Sequence, residues 1–204
     1  ENGQATKNGG NIIIWDGACM FVYGGEIKYG SSTGGGNIGV TKGNLTVTGG
    51  KLIGGTSSGY GGNVRVGETG TLTVTGGEIL GGTAPSGGGT IYGNHKSGTG
   101  SATIKLLGGK ITAGTSNSAN SNCLLNFGKS VTVGGDVQID KISISGAVKL
   151  VESTDVPLTS AASIGVAASS ALTVMESASA TAASVIKSAC ALAVSYVDGT
   201  VELG

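Results

Sequence analysis

The sequence predicts an all-β fold: a parallel β-helix, or β-solenoid, with about three short strands per coil and a hairpin at the carboxyl terminus. The first observation behind this prediction is a glycine-rich unit that recurs about every 26 to 27 residues, a period typical of solenoids. The second is the alternation of apolar and polar residues inside each unit, as expected of strands with one buried face. The repeat is set by GG pairs that begin at 9, 35, 61 and 88, and by GG pairs before a charged residue at 24, 49, 76, 108 and 134.

The strands of one unit are clearest between residues 63 and 80. NVRV (63–66), TLTVT (71–75) and EIL (78–80) alternate and are bounded by glycine, which leaves no room for a helix of about ten residues. Wound so that each strand stacks on its equivalent in the next unit, three such strands form one coil. The predicted inward side chains are Ile12, Ile14, Met20, Val22 and Ile27 in the first coil; Ile38, Val40, Leu45, Val47 and Leu52 in the second; Val64, Val66, Leu72, Val74 and Ile79 in the third; then Ile104, Leu106, Ile111, Leu124, Val131, Val133 and Val137.

We expect regular coils over residues 1–146, interrupted by the insertion NHKSGTG (94–100), which has the composition of a polar loop. Residues 147–204 are rich in Ala, Ser and Thr and are predicted to continue the same domain and to cap it. A hairpin is predicted over 196–203, because Asp-Gly between two alternating runs is a strong hairpin signal. For 176–190 a helix competes with β structure, which we favour because Ser, Thr and β-branched residues weaken a helix.

Composition excludes several classes of function. The chain has 12 Lys+Arg and 12 Asp+Glu and no basic run, so a nucleic-acid partner is not expected. No apolar run reaches the roughly 18 residues that a bilayer span requires, so no membrane insertion is expected, and the segment reads as mature or excised and soluble. No CxxC pair suggests a metal, and Cys19, Cys123 and Cys190 are expected to be packing thiols.

Two sets of polar residues recur in register. Glu26, Lys51, Glu78, Lys110 and Asp136 follow the GG pairs of five successive coils and are predicted to form a ladder of alternating charge. Asn11, Asn37 and Asn63 recur at one corner, where stacked amides can form hydrogen bonds along the ladder. Both ladders are interpreted as structural.

An enzyme is not expected. Polysaccharide hydrolases need paired carboxylates, and lyases need an acidic calcium site with a basic residue. The chain has one arginine, Arg65, and one histidine, His95, while Asp136 and Asp140 have no basic neighbour assigned. No phosphate-binding glycine motif occurs, so no cofactor is predicted. A polysaccharide lyase-like or hydrolase-like enzyme remains a minor alternative.

The repeat also resembles a known family. The phrase GGNVRVGETGTLTVTGGEILGGTAPSGGG (61–89) is similar to the glycine-rich repeat of right-handed parallel β-helix, pectin-lyase-like regions in bacterial surface proteins and adhesins. The similarity covers about residues 9 to 140. It implies a right-handed coil and a secreted or cell-surface location, and it carries no shared catalytic motif.

The first coil departs from the pattern on its exterior. Outward positions that hold Gly39, Thr41, Thr46 and Thr48 in the second coil are apolar in the first. An exposed cluster of this kind is expected to be covered, by the carboxyl-terminal region, by another molecule or by sugar rings that stack on it. The predicted interface residues are Ile13, Trp15, Phe21, Tyr23 and Tyr29.

The amino end carries no sequence that resembles a cap, since ENGQATKNGG repeats an internal corner. We therefore expect a non-catalytic extracellular structural protein, a β-solenoid subunit of a head-to-tail surface filament or of a surface-protein stalk. Self-association into a homopolymer is the expected partnership. The alternative is an adhesin, or glycan-binding module, that uses the outward aromatics to bind glycans or other cell-surface molecules.

Overall fold

The computed structural model describes residues 2–96, 100–126, 130–144 and 149–204, and its fold is a parallel β-solenoid of about six turns. A 3-10 helix covers Ala119–Ser121 and one α-helix, α1, covers Ala180–Val185. No helix among the described residues is long and apolar enough to cross a membrane. The strands are β1 (Ile12–Trp15), β2 (Cys19–Val22), β3 (Glu26–Lys28), β4 (Ser31–Gly34), β5 (Ile38–Thr41), β6 (Asn44–Val47), β7 (Lys51–Ile53), β8 (Thr56–Tyr60), β9 (Val64–Val66), β10 (Thr71–Leu80), β11 (Ile91–Gly93), β12 (His95–Lys96), β13 (Gly100–Ser101), β14 (Thr103–Ile111), β15 (Leu124–Asn126), β16 (Val131–Val133), β17 (Gln138–Ser143), β18 (Leu150–Glu152), β19 (Ser163–Ala167), β20 (Leu172–Met175), β21 (Ile186–Ser188), β22 (Val194–Val197) and β23 (Thr200–Leu203).

Equivalent strands stack in parallel on three faces, as the repeat predicts. The first face holds β1, β5, β9, β11 and β15 in that order, followed by the ends of β17, β19 and β21. The second holds β2, β6, the start of β10, the start of β14, β16 and β18. The third holds β3, β7, the ends of β10 and β14, then β17, β19 and β21. Stacking therefore continues beyond residue 146, through β18, β19 and β21.

A fourth short strand follows the third face in the early coils, where the sequence predicts only a glycine corner. β4 pairs with β8, and isolated bridges extend this ladder to Gln4, Asn8, Thr83 and Thr115. The inward positions of β4 and β8 are buried serines, and their hydroxyls donate to backbone carbonyls: Ser32 to Gly34 at 2.9 Å and Ser57 to Thr33 at 2.9 Å. Because these inward residues are polar, this strand leaves no apolar alternation in the sequence.

The predicted interior is confirmed. From the second coil onward its members are at most 1% exposed, whereas Ile12, Met20 and Ile27 of the first coil are only partly buried. The difference has a simple cause: an inward side chain is covered from both sides only when a coil stacks on each side of it.

The asparagine ladder is confirmed and lies inside the corner, with Asn37 and Asn63 fully buried. Asn11 Nδ2 donates to Asn37 Oδ1 at 2.8 Å, and Asn37 Nδ2 donates to Asn63 Oδ1 at 2.6 Å. Asn37 Oδ1 also accepts the Gly30 N–H at 2.8 Å, and Asn37 Nδ2 also donates to the Ile53 backbone carbonyl at 3.0 Å. Each buried amide thus satisfies the corner backbone as well as its neighbour in the stack.

The charge ladder is confirmed for four coils and wrong for the fifth. Glu26 lies beside Lys51, Lys51 beside Glu78, and Glu78 beside Lys110. Lys51 Nζ is 2.8 Å from Glu78 Oε2, and this contact lowers the pKa of the Glu78 carboxyl. Lys110 instead pairs with Gln138, because β17 begins two residues after Asp136 and a turn separates the two.

The carboxyl-terminal hairpin is confirmed, as β22 and β23 pair antiparallel around Asp198 and Gly199. Both turn residues have positive φ, 47° and 76°, as a type I′ turn requires. β20 pairs with β23 to complete a three-stranded sheet whose inward residues, such as Val201 and Leu203, join the solenoid core. This sheet and α1 cover the last coils.

The prediction of β structure over 176–190 is wrong for residues 180–185, which form α1, and holds for 186–188, which form β21. The Ser179 hydroxyl accepts the Ala182 N–H at 3.0 Å and so caps the helix, while Ala182 and Val185 are buried. Local capping and burial outweigh the weak helix propensity of the Ser and Thr residues.

The insertion near residue 95 contains more order than a loop, since β12 and β13 pair antiparallel. Residues 97–99, the tip of the predicted loop, lie outside the described residues.

Candidate functional site: the exterior of the first coil and the adjoining groove

The apolar exterior predicted for the first coil is exposed. Tyr23 is 74% exposed, and the other four residues are about half exposed. The hypothesis that the carboxyl-terminal region covers them is wrong for the described residues, because that region contacts β18 and β21 at the opposite end of the solenoid. The exposed set is Ile13, Trp15, Phe21, Tyr23 and Tyr29.

These five residues do not form one patch. Ile13 and Trp15 project from β1 on the first face, whereas Phe21 and Tyr23 project from the second face with stacked rings 5.9 Å apart. Tyr29 follows β3 and adopts a positive φ of 56°. The equivalent positions in the next two coils are glycines with the same backbone geometry, so Tyr29 is a side chain at a position suited to glycine.

The strands that carry these side chains also have free edges. Among the described residues, β1, β2 and β3 pair on one side only, with β5, β6 and β7. The Ile12 and Asp16 N–H groups donate to the second coil, so by the alternation of a parallel ladder those of Ile13 and Trp15 point to the open edge. The outward side chains and the unpaired backbone groups therefore belong to the same residues.

A groove lies beside Trp15 on the first face. Its long side is a column of stacked outward positions, Trp15, Thr41, Gly67 and Asn94, one from each of four successive coils. The groove has a volume of about 130 Å³. Gly67 contributes no side chain to its floor, and a Cβ atom at this position would lie 3.1 Å from the Val40 carbonyl oxygen.

Polar side chains form the walls of this groove. Arg65 Nη1 donates to Asn8 Oδ1 at 3.1 Å on one side. Tyr92 lies beside Arg65 in register, and its hydroxyl donates to Asn94 Oδ1 at 3.2 Å, while Asn94 Nδ2 donates to Glu68 Oε1 at 3.1 Å. Tyr92 is buried, which raises the pKa of its hydroxyl and keeps it a hydrogen-bond donor. These bonds fix the orientation of the Asn94 amide in the wall.

Sequence reasoning identified only Trp15 among the residues of this groove. Asn8, Arg65 and Asn94 lie in three different repeats and form no linear motif. Alignment of the repeats would have found the column, since Trp15, Thr41 and Gly67 follow the asparagines of the ladder by four and Asn94 follows Thr90, the equivalent residue of the next coil, by four.

A larger cleft of about 280 Å³ lies on the second face, between Lys105, Leu107 and Val151. The Glu152 carboxylate beside it accepts the Leu158 and Ser179 N–H groups and so supports the local fold. None of the described residues that line this cleft is aromatic. Its described features indicate no ligand class.

The cysteines differ in their environments. Cys123 is buried, as predicted, and burial raises the pKa of its thiol to about 12. The prediction of a packing thiol is wrong for Cys19, which is exposed because its side chain points outward from β2. Among the residues that the structure describes, no three His, Cys, Asp or Glu side chains are grouped so that they could hold a metal ion.

Comparison with known proteins identifies no family. No family model matches the chain, and no curated protein and no solved structure matches it significantly.

Proposed function

We propose that the chain is a non-catalytic extracellular structural protein, a β-solenoid module that docks a further solenoid coil on its open amino-terminal edge. The observation that carries this proposal is the contrast between the two ends. β1, β2 and β3 have a free edge among the described residues, whereas α1 and the β20–β23–β22 sheet cover the last coils. Free strand edges pair readily with other strands.

The apolar exterior of the first coil supports the same proposal. A docked coil would bring its own outward side chains next to Ile13, Phe21 and Tyr23, which are 48%, 54% and 74% exposed. Aromatic burial would then add to the backbone hydrogen bonds along the edge.

The covered carboxyl-terminal coils favour a surface-protein stalk over a head-to-tail filament. At this end β18 and β21 also pair on one side only among the described residues, but β20, β22 and α1 contact them, so a second copy would have to displace the cap to reach their edges. Two copies that meet through their amino-terminal edges would instead be related by a two-fold axis, and such a contact closes at a pair. The extracellular, bacterial-surface setting is supported by the resemblance of the glycine-rich repeat and is part of the proposal.

Sedimentation velocity over a concentration series tests the docking edge. We expect the wild-type protein to form end-to-end pairs as its concentration rises. Ile13→Lys should abolish the pairs, because a charged side chain on an edge strand opposes strand pairing. Val197→Lys is the matched control, since Val197 is 58% exposed in the hairpin far from the edge. A wild-type protein that stays monomeric, or pairs that survive Ile13→Lys, would overturn the proposal.

The second candidate function is glycan binding. The observation that favours it is the groove beside Trp15, where an exposed indole lies next to amide and charged side chains.

A further inference from the structure

We propose that the groove beside Trp15 binds an acidic saccharide, with the Arg65 guanidinium on the sugar carboxylate and the Trp15 indole against the sugar ring. This site goes beyond the docking edge and does not depend on it. It uses side chains of four coils, whereas the docking edge uses the backbone and the outward side chains Ile13, Phe21 and Tyr23 of the first coil.

The charges in the groove favour an anionic ligand. Arg65 and Lys42 line it together with one carboxylate, that of Glu68. Neither cation takes part in an ion pair with a described residue, and within the described part of the chain Arg65 makes a single hydrogen bond, to Asn8. The guanidinium therefore retains donors that can bind a carboxylate in the bidentate geometry that arginine favours.

Other groups in the groove favour a sugar over a simple anion. Trp15 is 57% exposed at one end, so its ring is open to stacking. The Thr41 hydroxyl oxygen is buried at the floor and has no hydrogen-bond partner among the described residues. Asn8 and Asn94 supply amides whose orientations are held by Arg65 and Tyr92. A stacking ring with surrounding hydroxyl and amide groups matches the apolar face and polar rim of a pyranose.

The shape of the groove favours part of a chain over an enclosed small molecule. Its volume of about 130 Å³ is below that of most enclosed ligand pockets. Its column spans four coils, which at about 4.8 Å per step gives a length of about 14 Å. One sugar unit of such a chain stacks on Trp15, and its carboxylate lies toward Arg65.

Calorimetric titration with two matched trisaccharides tests this inference. The probes are a β-1,4-linked oligoglucuronate and cellotriose, which has the same backbone without the carboxylates. We expect the wild-type protein to bind the oligoglucuronate at least about tenfold more tightly than cellotriose, with an affinity that falls as salt is added. Arg65→Gln should weaken oligoglucuronate binding by about tenfold or more.

Two further variants separate the groove from the docking edge. Trp15→Ser should weaken binding, whereas Phe21→Ser, an equally exposed aromatic outside the groove, should not. Circular dichroism and melting curves check that Arg65→Gln folds. Lys42→Gln, at an exposed position, removes a second positive charge from the groove and so tests the role of charge even if Arg65→Gln does not fold. Absence of oligoglucuronate binding, equal affinity for cellotriose, or an unchanged affinity in both charge variants would overturn the inference. Pair formation in sedimentation is independent of these outcomes, so failure of one proposal does not imply failure of the other.

Discussion

The first and second coils carry the same repeat but differ in both burial and exterior. Met20 is partly buried and stacks in register on Leu45, which is fully buried. On the outside, Phe21 of the first coil lies beside Thr46 of the second. The repeat therefore determines which side chains point inward, whereas the position of a coil in the stack determines how much each inward side chain contributes to stability. The apolar exterior occurs in the coil whose strand edges are free, and we therefore propose that the outward side chains and the free edges belong to one docking surface.

The largest difference between these coils should follow from a buried charge. Leu45→Asp places a carboxylate without a partner in the core and should destabilise the protein by more than about 4 kcal/mol. Met20→Asp is the matched substitution in the first coil, where water reaches the site, and should cost clearly less. Chemical denaturation measures both. Equal losses would contradict the claim that the first coil is open.

The asparagine ladder should show the same contrast at a smaller scale. Asn37→Ala removes four hydrogen bonds and leaves buried backbone groups without partners, so we expect a loss of about 3 kcal/mol. Asn11→Ala, at the open end of the ladder, should cost about 1 kcal/mol. The two melting curves provide the test, and a larger loss for Asn11→Ala would reverse the proposed order.

The charge ladder should give the smallest effect. Glu78→Lys would place three lysines in register, at 51, 78 and 110, in place of an exposed ion pair. We expect a small fall in melting temperature at low salt that diminishes as salt screens the repulsion. Glu202→Lys makes the same charge change on an exposed position of β23, away from the ladder. A fall that does not respond to salt would indicate that charge repulsion is not its cause.

Sequence periodicity predicted the coil, the interior and the hairpin, because each leaves a local pattern. It missed the fourth strand, since Ser32 and Ser57 satisfy their hydroxyls on the backbone and so replace apolar residues. It also misplaced Asp136, because the turn before β17 moves Gln138 into the ladder. The first error arises because serine side chains that bond to the backbone leave no apolar pattern. The second arises because a local change of register is not visible in the spacing of the repeat.

The candidate site was predicted in part. The exposure of the first-coil aromatics follows from their outward position, but their division between faces depends on turn geometry that the pattern does not give. The groove depends on Asn8, Arg65 and Asn94, which are far apart in sequence and meet only because the coils stack. Its polar walls also depend on hydrogen bonds such as that from Tyr92 to Asn94, which composition alone does not indicate.

Hydrogen–deuterium exchange at single-residue resolution, measured from dilute to concentrated protein, tests the central claim most directly. In β2 the Phe21 N–H points to the open edge, whereas by the alternation of the ladder that of Met20 points to β6. We predict that the Phe21 amide exchanges fast in dilute protein and becomes protected as the concentration rises, while Met20 is protected throughout. A Phe21 amide that exchanges equally at every concentration would contradict the docking of another coil on this edge.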